Sequence, residues 1–136
     1  MLGRKNYSHE ELDSCRAAIG AELEAYKRVE AAVGNDALAG FEAPFFNSMV
    51  LALDRWFVHR VRAVSGKDGN PLNEVELIVD SVMTNGGVLR GNNVIRYVPG
   101  ESVLGLEIGD RIGLTREQFE RLSEAFLNEI ERRFLA

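Results

Sequence analysis

At 136 residues, with 46% hydrophobic and 27% charged residues, the chain has the composition of one globular domain, 1–136, and not of a disordered or fibrous segment. A net charge of −5 and a pI near 5.1 exclude a basic footprint for nucleic acid over the whole surface. The single cysteine, Cys15, excludes an intramolecular disulfide, and the opening MLGRKNYSHEEL has no apolar run for a signal peptide or a membrane span, so a cytoplasmic protein with no membrane partner is expected.

Residues 1–7 read as a flexible N-terminus. The first helix then has a clear start: Ser8 can cap it, Glu11 completes a capping box, and Tyr7 with Leu12 forms a hydrophobic staple. Leu12, Cys15, Ile19, Leu23, Tyr26, Val29 and Val33 follow at helical spacing, which makes Cys15 a small buried hydrophobe and not a nucleophile. Gly34 and Asn35 end this helix.

Pro44 is placed as the first residue of a second helix that is expected to run to about Ser65. Phe46, Met49, Val50, Leu53, Phe57, Val61 and Val64 form its apolar stripe, while Leu51, Trp56 and Val58 carry apolar character onto other faces. Between Arg55 and Lys67 lie four basic residues and no acidic one; the remaining chain has 12 basic against 21 acidic residues, so this stretch is a positive island in an acidic protein.

The stretch VSGKDGNPLNE reads as a corner between antiparallel helices. Gly66 suits a post-helical position, Asp68-Gly69 a turn, Asn70 an N-cap and Pro71 the first turn of a third helix to about Met83. NGGVLRGNN breaks that helix, and residues 86–114 are expected to form a turn-rich insert in which VIRYV and VLGLEI pair as a small β-hairpin. Thr115 and Gln118 box the start of the last helix, striped by Phe119, Leu122, Phe126, Ile130 and Phe134. The expected fold class is therefore mainly α: a four-helix, bundle-like domain with a small β-hairpin inserted between helices three and four.

Bundles of this kind can hold metals between helices, but His9 and His59 are not preceded by glutamate at Glu-x-x-His spacing, and neither His-x-x-x-His nor Cys-x-x-Cys occurs. No metal and no cofactor are expected. The glycines at 86, 87 and 91 lack the Lys-Ser/Thr of a phosphate loop, and no Gly-x-Ser-x-Gly elbow exists.

One residue resists a purely structural reading. On a continuous second helix Arg60 falls inside the apolar stripe between Leu53, Phe57 and Val64, where a guanidinium needs a partner or a ligand. Antiparallel pairing about Asp68 brings Glu76 opposite it, which predicts an inter-helix ion pair. The competing reading is a small-anion site at the corner, built from His59, Arg60, Lys67, Asn73 and Glu76.

The segments LDRWFVHRVRAVSGKDGNPLNEVE, NGGVL and GDRIGLTREQFERLSEAF resemble a group of small uncharacterised actinobacterial proteins, over roughly Phe46 to the C-terminus. The resemblance implies a bacterial, cytosolic origin and carries over no activity and no functional residues. Two functions of different class remain open. The first is a non-enzymatic module that self-associates as a two-fold homodimer, or binds a partner protein, through the surplus apolar residues of helix two. The second is an enzyme or sensor for a small anionic ligand bound at the corner.

Overall fold

The computed structural model describes residues 3–135, whose helices are set by the capping and apolar spacing of the sequence. α1 spans His9–Val33, and its Ser8/Glu11 capping box is formed in both directions. A short α2, Asn35–Leu38, leads into α3, Glu42–Arg55. After a further short turn of helix, α4 at Arg62–Ser65, α5 runs over Pro71–Thr84 with the Asn70 side chain accepting from the Leu72 and Asn73 amides. α6, Arg116–Phe134, begins at the expected Thr115/Gln118 box. Together these are six α-helices among the described residues.

The core lies where α3, α5 and α6 pack on one another, with α1 laid against α6. Phe46, Leu53, Phe57, Phe119, Phe126 and Ile130 are fully buried there, which is the apolar seam expected of these helices. Cys15 is also fully buried, and burial pushes its thiol up to about 12.

Two expectations need correction. The first is the second helix, which does not continue to Ser65. It ends at Arg55, residues 56–59 form tight turns, and Val61 is extended. The N-terminal segment is the cause: the Val61 amide donates to the Arg4 carbonyl at 3.0 Å and the Arg4 amide to the His59 carbonyl at 2.6 Å, so the chain leaves the helix to pair with residues 3–5. Gly3 fits this pairing because a Cβ there would meet Val61 Cβ at 3.1 Å. Residues 3–7, expected to be flexible, are thus fastened, with Tyr7 buried and its amide bonded to the Phe134 carbonyl; Met1 and Leu2 of that expected segment lie outside the described residues.

The second correction is the β-hairpin, since no β-strand forms among the described residues. The amides that a ladder needs are taken by other acceptors. Val94 and Ile95 donate to the Asn92 side chain, Arg96 donates to the Lys67 carbonyl, and Val103 and Leu104 both donate to the Glu74 carboxylate. Tyr97, expected on one strand, instead reaches the Leu106 carbonyl with its hydroxyl at 2.5 Å. Residues 86–114 are therefore an ordered loop pinned to α5, closed at its base by a lone antiparallel bridge between Val88 and Arg111.

Candidate functional site

The helix break decides what the corner residues do. Once α3 stops at Arg55, Arg60 no longer follows the helical projection, and its guanidinium folds back under the end of α3. Nη2 donates to Asp54 Oδ1 at 2.7 Å and to the Leu72 carbonyl at 3.4 Å, while Nη1 donates to the Phe57 carbonyl at 3.0 Å. The side chain is only 5% exposed and lies 5.2 Å from the Phe126 ring centre. Arg60 thus bonds the Asp54 carboxylate in the last turn of α3, where the helix dipole favours a cation, and the Phe57 carbonyl just beyond the helix end. The expected partner, Glu76, is not its partner.

Glu76 instead takes Arg62, at 2.5 Å. Arg62 also donates to Asn73 Oδ1 at 2.8 Å and the Gly66 carbonyl at 3.0 Å. Asn73, fully buried, turns its amide nitrogen toward the carbonyls of Asp68, Gly66 and Ser65 at 2.7, 3.1 and 3.4 Å. Asn70 adds bonds to the Ser65 carbonyl and to Asp68 Oδ1, and the latter holds the Asp68 carboxyl below its usual range. Of the five residues expected around a site, Arg60, Asn73 and Glu76 therefore direct polar atoms at neighbours within the fold, whereas His59 and Lys67 are exposed. The set does not converge on a shared cleft.

The concave surface lies elsewhere, at the other end of α3. Tyr26, Phe41 and Phe45 stack, with ring centres 5.1–6.5 Å apart, and with Ala25 and Val29 they line an apolar groove of about 360 Å³ between α1 and α3. Phe41 is 49% exposed. Behind Tyr26 lies a polar cleft of about 310 Å³ where Arg116 bridges Glu30 at 3.4 Å and Glu120 at 2.7 Å, and its backbone amide donates to Glu42 at 2.9 Å. At the opposite end of α3, Ala52, Arg55 and Trp56 border a shallow depression, with Trp56 42% exposed and Val58 close to it in exposure.

Two features escape a reading from the sequence. Asp54 stands six residues before Arg60, a separation that puts the two on different faces of a continuous helix, so the pair becomes visible only with the break. The aromatic groove has a signal in the sequence, since Phe41 and Phe45 are four apart at the start of a helix with no charged residue between Glu42 and Asp54, but Phe41 falls before the helix start that Pro44 suggests.

Among the described residues no group of three or more His, Cys, Asp or Glu side chains is arranged to hold a metal ion, and no helix is long and apolar enough to cross a membrane. No family model, curated protein or solved structure matches this chain.

Proposed function

We propose that the protein is a non-enzymatic interaction module that self-associates or binds a partner protein through its helical surface. One observation carries this reading: the outer side of α3 has no charged residue between Glu42 and Asp54, and two exposed aromatic side chains flank it, Phe41 just before the helix and Trp56 just after it. A helix face of that composition on a protein with 27% charged residues is the usual mark of a surface that another polypeptide covers.

The polar residues support the same reading by their commitments. A site for a small anion needs donors free to meet it, and the Nη1 and Nη2 donors of Arg60 and Arg62 point at carboxylates, carbonyls and Asn73, while Arg60 Nε is buried without a partner among the described residues. A bacterial cytosolic setting agrees with the single buried thiol.

The test pairs two measurements on the whole protein. Sedimentation and light scattering from micromolar concentration upward are expected to show self-association or, with extract added, recruitment into a larger complex of fixed stoichiometry. A thermal-shift screen with phosphorylated and carboxylated metabolites is expected to be silent. A saturable rise in melting temperature with such a metabolite, lost on Lys67→Ala or His59→Ala, overturns the module in favour of a ligand site.

A further inference from the structure

The outer face of α3 is complementary to itself, and the geometry points to a second copy of this chain as its occupant, packed across a two-fold axis that passes beside Ser48. The inference rests on the interaction-module reading and adds the partner, the face and the register.

Phe41, Ser48 and Arg55 are spaced by sevens and so line up along one side of α3, flanked by Pro44, Phe45, Leu51 and Ala52. The core-facing residues Phe46, Met49, Val50 and Leu53 lie on the other side, which leaves Pro44, Ser48, Ala52 and Arg55 exposed, while Phe41 and Phe45 stack on Tyr26 at one end. Its ends differ in kind. The N-terminal end carries the aromatic groove with the exposed Glu22 on its rim, while Glu42 turns away to the Arg116 amide; the C-terminal end carries Arg55 and the exposed Trp56.

Charge decides the direction of packing. A parallel pair of α3 helices would place Arg55 against Arg55 and leave Glu22 of each copy without a cation. An antiparallel pair brings Arg55 of each copy to the acidic end of the other, and it brings Trp56 to the level of the partner's Phe41, at the mouth of the aromatic groove. With small Ser48 and Ala52 near the middle, the helices can approach closely over roughly 20 Å of uncharged surface. Each contact occurs twice, as a two-fold axis requires.

The position on the axis supplies the experiment. The 15.1 kDa chain is expected to double its mass with concentration, and its only tryptophan, Trp56, to shift its emission to shorter wavelength in parallel. Ser48→Glu and Ser48→Lys, both at an exposed site, each place like charges across the axis and should weaken dimerisation by about tenfold or more, with helicity unchanged and with melting temperature unchanged at concentrations where the parent is monomeric. Mixing the two variants in equal amounts should restore the dimer, because opposite charges then meet. Ser48→Cys should be joined to itself by a short bis-thiol reagent, with the buried Cys15 silent, whereas Glu24→Cys on α1 should not be.

A dimer that survives Ser48→Glu unchanged and gives no cross-link at position 48 overturns this face and leaves the module reading standing. A monomer at all concentrations also overturns it; the module reading is then decided by the extract and metabolite measurements.

Discussion

Asp54 holds Arg60 at 2.7 Å in a setting where the guanidinium is 5% exposed, so this pair joins the end of α3 to the start of α5 from inside the protein. Removing only the cation by Arg60→Met strands the Asp54 carboxylate and leaves the Phe57 and Leu72 carbonyls without their donor. The expected loss is about 3–5 kcal/mol, toward the lower end because Asp54 keeps some contact with solvent. Asp54→Leu alone should cost a similar amount, and the double variant should recover most of it. Denaturant unfolding of the four proteins measures the coupling; additive losses would mean that the two side chains act independently.

The Arg62–Glu76 pair is the contrasting case. Its side chains are 32% and 37% exposed, so solvent screens the attraction, and Glu76→Gln should cost less than about 1 kcal/mol. Glu76→Leu combined with Arg60→Met should show no coupling, since the two residues do not share a bond. A coupling as large as that of Asp54 with Arg60 would restore the Arg60–Glu76 pair that a continuous helix implies.

The contrast shows how much of the fold is legible in the sequence. Helix starts are written locally, in Ser8/Glu11, Asn70/Pro71 and Thr115/Gln118, and the structure uses all three. The end of α3 is not local: it depends on residues 3–5 arriving beside residues 59–61, which no spacing within the helix reveals. The hairpin failed for the same reason. Its two segments have strand-like residues, but Glu74, buried on α5, captures the Val103 and Leu104 amides. Of the candidate site, the corner was legible as a corner; the partners of its arginines were not.

Asn73 tests whether the corner is a structural joint. Its amide nitrogen serves three backbone carbonyls and its oxygen receives Arg62, all in a buried position, so Asn73→Ala should cost roughly 2–3 kcal/mol. Asn73→Asp should also destabilise, because a carboxylate would face carbonyl oxygens in place of a donor. Thermal unfolding of both variants checks this. A loss under about 0.5 kcal/mol for Asn73→Ala would show that the loop holds without it.

Tyr7 gives a prediction of opposite sign. Its ring is buried against Phe57 at 4.9 Å and Phe134 at 5.3 Å with Arg4 stacked at 4.2 Å, yet its hydroxyl has no hydrogen-bond partner among the described residues. Tyr7→Phe keeps the ring contacts and removes a buried polar atom that gains nothing from folding. The variant should be as stable as the parent or more stable by up to about 1 kcal/mol. A clear drop in melting temperature would reveal a bound water meeting the hydroxyl.

Glu74 makes stability depend on pH in a direction opposite to that of the exposed carboxylates. Burial raises its carboxyl above the ordinary value near 4.5, against the opposing pull of the Val103 and Leu104 amides and of Arg121. In the unfolded chain the group returns to that ordinary value. Between the two values the folded protein binds more protons than the unfolded one, so the Glu74 contribution falls as pH rises from about 4.5 through the raised value and is constant above it. Asp68 and Glu11, whose carboxyls are lowered by Asn70 and Arg4, act the other way, losing their contribution as pH falls. Glu74→Gln preserves shape and one acceptor but cannot ionise. Its stability relative to the parent should therefore increase with pH across that window and level off above it, as read from urea unfolding at a series of pH values. If the parent instead gains on the variant as pH rises, the two amides outweigh burial, and Glu74 is an anion that the 99–106 loop stabilises outright.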